Sequence, residues 1–202
     1  MTRLRGVAFF LTAIVLSGCA TGGAGSKYYL FSDPLDKEVA AWNRSAKLYH
    51  EFDTRLIIDA IYNSKQLRDA WIKKASRVSM LSTDEIKRLT DQQNKESERY
   101  AQFFVALYTP GEERSNLDDP ESKWSVFLQS DTGPVRPESI TKIDSESLAW
   151  SSSLPFDPNF RTIYRINFLR DKSGFGVMRL YISSLLGEVR LTWGADQANP
   201  PK

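Results

Sequence analysis

The chain has 202 residues, 41% of them hydrophobic and 12% aromatic, which is enough apolar material for a folded core and excludes wholesale disorder. Its 27 basic and 25 acidic residues give a formal net charge of +2, and Arg3 and Arg5 account for that excess; the balanced remainder has no long-range pull toward nucleic acid. One cysteine excludes an intrachain disulfide, and one cysteine with one histidine excludes a Cys/His zinc cluster.

Arg3 and Arg5 open the chain as a short positive segment, followed by the apolar run "GVAFFLTAIVLSG". That run is too short to span a bilayer as a helix, which takes about 20 apolar residues. It ends in Leu16-Ser17-Gly18-Cys19, a branched apolar residue, two small residues and the lone cysteine. This quartet resembles the lipobox of bacterial lipoproteins, the substrates of the type II signal peptidase. The resemblance covers residues 1–19. It implies a diacylglyceryl group on Cys19, cleavage before Cys19 with recognition through Leu16, Ser17 and Gly18, and acylation of the new amino terminus. Several acyl chains anchor firmly where one is marginal, since each buried methylene contributes about 0.8 kcal/mol. Ala20 in place of Asp resembles lipoproteins that enteric bacteria send on to the outer membrane. On this reading residues 1–18 are a signal peptide, 19–26 a lipidated cysteine with a small-residue tether, 27–194 one folded domain and 195–202 a frayed tail.

Within the folded part, "KYYLFS" (27–32) reads as a short strand. Asp33 as N-cap and Pro34 at the first helical position predict a helix over 34–47, with Leu35, Val39, Trp42 and Ala46 on one face. Residues 52–62 alternate Phe52, Thr54, Leu56, Ile58, Ala60 and Tyr62, which favours a strand over a helix. Asn63 with Gln66 and Ser82 with Glu85 fit capping boxes, so two helices are expected between 63 and 102. The first carries Leu67, Trp71, Ala75 and Val78 at helical spacing; the second has a thin apolar stripe and reads as a surface helix.

From Phe103 onward the period is two. Strands are expected at 103–109, 123–130, 162–170, 175–184 and 188–193, with Tyr164, Ile166 and Phe168, then Met178, Leu180 and Ile182, then Val189, Leu191 and Trp193 pointing inward. One wet face and one buried face is the pattern of antiparallel sheet. Glycines in "DKSG" and "SLLG" suggest that the last three strands form a meander. The fold class expected is α+β, mainly β: an antiparallel β-sandwich, immunoglobulin-like in general architecture, with a helical pair (63–102) inserted between strands.

Chemistry-bearing residues are sparse. His50 is the only histidine; no G-x-S-x-G elbow roots a Ser-His-Asp triad and the cysteine is committed to the lipobox, so neither that triad nor a Cys-His pair is expected, and beside Glu51 on a strand His50 would point away from that carboxylate. Glu112, Glu113, Asp118, Asp119 and Glu121 gather between two strands without the spacing of a calcium-binding helix-loop-helix, and read as a solvated turn. Lys65, Arg68, Lys73, Lys74 and Arg77 make one helix basic, either a solvated face or a contact for anionic headgroups. Trp150, Phe156 and Phe160 lie in a Ser/Pro-rich connection and are the candidate partner-binding residues, with plugging of the open end of the sandwich as their alternative role. No cofactor, metal or nucleic-acid partner is expected. The function expected is non-enzymatic: a lipid-anchored lipoprotein of the bacterial envelope, facing the periplasm from the outer membrane and contacting envelope proteins or polymer. A carboxylate-based hydrolase of an envelope polymer and an accessory subunit of a transport or secretion complex are the alternatives.

Overall fold

A computed structural model describes residues 33–110, 116–131, 133–143, 154–156, 160–170 and 176–194. Asp33 caps α1 (Pro34–Trp42), its Oδ1 accepting the Leu35 N–H at 3.0 Å, and Pro34 takes the position where a missing N–H costs nothing. The helix stops five residues short of the expected end, because Asn43–His50 is β1. Pairing decides this: β1 runs antiparallel to β2 (Asp53–Tyr62), from Asn43 opposite Ile61 to His50 opposite Asp53. Ala46, the last residue of the expected helical stripe, packs with Leu48 against the inter-sheet core from the strand. A ladder of backbone hydrogen bonds outweighed a short helical pattern.

After β2 come α2 (Lys65–Val78) and α3 (Thr83–Arg99), then β3 (Tyr100–Tyr108), close to the expected bounds. The cap of α2 differs by one residue. Ser64, not Asn63, accepts the Leu67 N–H at 3.1 Å, and Asn63 is drawn into a polar network instead. The Ser82–Glu85 capping box is present, with both reciprocal bonds made. Further strands are β4 (Ser125–Ser130), β5 (Gly133–Val135), β6 (Ser139–Lys142), β7 (Thr162–Leu169), β8 (Met178–Ser184) and β9 (Gly187–Trp193).

Every strand pair is antiparallel, and the strands form two sheets, ordered β1-β2-β3-β7-β6 and β5-β4-β8-β9. The described residues are therefore mainly β, with two antiparallel sheets and three helices. The last three strands do not form the expected meander. β8 and β9 are a hairpin, but β7 sits in the other sheet between β3 and β6. Alternation marks which side chains are buried and says nothing about the sheet they belong to. Tyr164, Ile166 and Phe168 enter the same core as Met178, Leu180 and Ile182, from the opposite side.

That core fills the space between the sheets, and its largest side chain, Trp193, is wholly buried and donates its Nε1–H to the Trp42 carbonyl at 2.7 Å. A second core lies between the outer face of the five-stranded sheet and the helices, where Leu35, Val39, Leu67, Trp71 and Ile72 meet Ile61, Phe104, Ala106 and Ile163. β3 serves both: Phe103 and Val105 point to one core, Phe104 and Ala106 to the other. Its unbroken apolar run "FFVAL" is what a strand covered on both faces requires.

Candidate interaction surface

The edge strands of the two sheets, β1 and β9, run side by side in opposite directions. Trp193 meets Trp42, Arg44 Nε donates to the Thr192 carbonyl at 3.0 Å, and Gly187 packs on Leu48. Gly187 has a φ of +135°, and a Cβ there would lie 2.9 Å from Leu48 Cδ2, so conformation and space both require glycine. This close approach brings two tight turns to one end of the molecule. The β1–β2 turn is Glu51-Phe52, with Glu51 at a φ of +56°; the β8–β9 turn is Leu185-Leu186, where the Leu186 N–H is held by Ser184 Oγ at 3.0 Å.

Both turns carry apolar side chains where glycine, asparagine or aspartate is favoured. Phe52 is 102% exposed and Leu185 107%, values reached only by side chains that project clear of their surroundings. Tyr49 and Leu186 flank them and are exposed as well. Tyr108 ends β3, which pairs with β2 through Tyr108 and Ile57, and Phe160 precedes β7. These two exposed aromatics lie toward the same end of the five-stranded sheet but set back from the turns, Ile57 being five residues from Phe52. Among the described residues, four of the nine exposed large apolar side chains, Tyr49, Phe52, Leu185 and Leu186, lie on or beside the two turns, which separates this end from the scattered exposure ordinary on any surface.

The opposite end of the five-stranded sheet is polar and covered. Asn63 Nδ2 donates to Gln102 Oε1 at 2.7 Å, Gln102 Nε2 to Asn167 Oδ1 at 2.9 Å, and Asn167 Nδ2 to Ser139 Oγ at 3.0 Å. This amide ladder crosses four strands of sheet ends beside α2 and α3. Arg68 closes it from above: it is 2% exposed, its Nε donates to the Asn63 carbonyl at 3.1 Å, and its Nη1 donates to Gln93 Oε1 of α3 at 2.8 Å. Burial lowers the Arg68 pKa from its ordinary value, opposed by the Glu96 carboxylate 3.8 Å away. The Tyr62 hydroxyl accepts a bond from Arg170 nearby. Each of these bonds runs from side chain to side chain or from side chain to backbone, so the arrangement locks helices to sheet.

Arg68 is thus removed from the basic face read from the sequence. Of the other cations on α2, Lys65 pairs with Asp69 at 2.7 Å and Lys74 with Asp33 at 3.1 Å, leaving Lys73 and Arg77 exposed. His50 is exposed at the end of β1. Asp119 is engaged locally, accepting the Glu121 N–H at 2.8 Å; Glu112 and Glu113 lie outside the described residues. Among the candidate partner-binding residues, Phe160 is exposed, while Phe156 is buried in the helix-side core with Leu154 and cannot offer itself to a partner. Trp150 lies outside the described residues, as do Leu16, Ser17, Gly18 and Cys19. Sequence reasoning did not find Phe52 or Leu185. The available signal was an apolar residue at the centre of a turn, "HEFD" and "SLLG", where folding gains nothing from it.

Among the described residues no group of three or more His, Cys, Asp or Glu side chains is placed to hold a metal, and no helix is long and apolar enough to cross a membrane. No family model and no curated protein matches the chain. A solved structure described as a novel protein of unknown function from Burkholderia pseudomallei K96243 is similar to it at 13% identity, over 79% of this chain and 81% of that one, with a TM-score of 0.38.

Proposed function

We propose that this protein is a lipid-anchored lipoprotein of the bacterial envelope with a non-enzymatic structural or interaction role, facing the periplasm from the outer membrane. The observation that carries the reading is the quartet Leu16-Ser17-Gly18-Cys19 after a short apolar run, with no second cysteine in the chain to give that thiol another use. On this reading residues 27–194 are an immunoglobulin-like sandwich with the helical pair inserted between strands. Two antiparallel sheets around one shared core support the sandwich, and the position of α2 and α3 between β2 and β3 in the chain supports the insertion.

Labelling growing cells with a radioactive fatty acid tests the anchor. Label is expected in the wild-type protein and absent from Cys19→Ala; equal label in both sinks the reading. Crosslinking in intact cells followed by mass spectrometry then identifies the envelope components beside the domain, and the capture of none would remove the interaction role.

A further inference from the structure

We propose that the end built from the β1–β2 and β8–β9 turns rests on the membrane, with Phe52 and Leu185 entering the headgroup–acyl boundary of the bilayer. The inference rests on the lipoprotein reading, because the anchor is what keeps a weak contact in place.

The shape of the surface selects the occupant. Phe52 and Leu185 are separate wedges at the tips of two turns, each with its whole side chain in solvent. Tight protein interfaces bury their anchors in well-packed pockets with shape complementarity. Two isolated projections suit a medium that deforms around them. Beside the β1–β2 tip stands Tyr49, an exposed aromatic residue of the kind enriched where hydrocarbon meets headgroups. The exposed charges beside the turns are Lys47 and three carboxylates, Glu51, Asp53 and Glu188. Such a rim does not attract anionic lipid, so contact is by apolar insertion and is expected not to weaken as salt rises.

Reach and concentration complete the argument. The eight residues of the expected tether, 19–26, fully extended, span at most roughly 29 Å, which keeps the domain close to the bilayer without fixing its orientation. Two or three apolar side chains give only marginal binding to a free protein. Anchoring makes the encounter intramolecular, and the effective concentration supplies what the contact lacks.

The test uses the mature protein purified from membranes and reconstituted in vesicles of phosphatidylethanolamine and phosphatidylglycerol. Because acylation consumes the Cys19 thiol, Phe52→Cys, Leu185→Cys and, as control, Lys95→Cys on the exposed side of α3 each provide one site for an environment-sensitive fluorophore. Blue-shifted emission and quenching by nitroxide-bearing lipids are expected at positions 52 and 185 and not at 95. Quenching of both tips by aqueous iodide as readily as at 95 overturns the proposal. So does protection from iodide without lipid quenching, which would mean that a protein partner or a second copy covers the tips. The intact mass separates the two readings. Without acyl chains the lipoprotein reading falls and takes this proposal with it; with acyl chains and water-exposed tips, only this proposal falls.

Discussion

At one end of the five-stranded sheet, Asn63, Gln102 and Asn167 are buried or half-buried and hold one another beside the helices; at the other, Phe52 stands in solvent on a two-residue turn. Each end reverses the ordinary placement of its residue types. Polar groups can be buried when their hydrogen bonds are met, and here the ladder and Arg68 meet most of them. Exposed apolar groups have no such internal compensation. The polar end is explained by the fold it stabilises, whereas the apolar end is unexplained until something outside the domain is considered. A contact satisfied within the chain points to structure, and one left open points to function.

The comparison breaks first at Arg68. Arg68→Ala would leave Gln93 Oε1 and the Asn63 carbonyl without their donor beneath α2 and α3. The expected loss is about 3 kcal/mol, the scale for hydrogen bonds to a buried charged group, read from urea unfolding. A loss below about 0.5 kcal/mol would show that the polar end does not lock the helices. Arg68→Met, which keeps the volume and removes the charge, is expected to recover part of the loss.

Next is Gly187, which fixes the β8–β9 turn against β1. Gly187→Ala imposes both an unfavourable φ and an overlap with Leu48, and is expected to cost about 2 kcal/mol. The two causes are separable. In a Leu48→Ala background the overlap disappears and the φ cost stays, so the substitution should cost less there. Equal costs in both backgrounds would mean that the turn is not seated on Leu48.

Much of this was legible in the chain. The Ser82–Glu85 capping box placed α3, helical spacing placed α2, and two-residue alternation placed β4, β7, β8 and β9, because all are local rules read from neighbours. What failed was non-local. The 43–50 segment is a strand because β2 is there to pair with it, and β7 changes sheet although its alternation matches that of β8. β5 and β6, three and four residues long, are too short for any period to show. The site was less legible than the fold. Phe160, a candidate by its aromatic company, is exposed, whereas Phe156, in the same connection, is drawn into the core; "HEFD" gave Phe52 no comparable neighbourhood.

A smaller effect is expected at Asp33, which lies away from both ends and measures ordinary surface capping. The Leu35 N–H, and next to it Lys74, hold the Asp33 carboxyl below its ordinary pKa of 3.8. A carboxyl depressed in the folded state stabilises fully above the unfolded pKa, and that contribution is lost as pH falls through the folded value. Asp33→Asn keeps a capping oxygen and removes the charge. The variant should lose a few tenths of a kcal/mol relative to the parent at neutral pH, with the gap closing below about pH 4 in thermal unfolding followed across that range.

The smallest expected effect on stability is the most informative about the apolar end. Phe52 and Leu185 touch nothing that folding buries, so the double variant Phe52→Ser, Leu185→Ser should unfold within about 0.5 kcal/mol of the parent. Turn preference works in its favour, since serine suits these positions better than either natural residue. Chemical denaturation of the two proteins side by side checks it. A loss of 2 kcal/mol or more would show that the tips support the fold, and their exposure would then need no external partner. Unchanged or higher stability is the result the proposed membrane contact requires, because it leaves two apolar residues at turn centres that the folded state does not need.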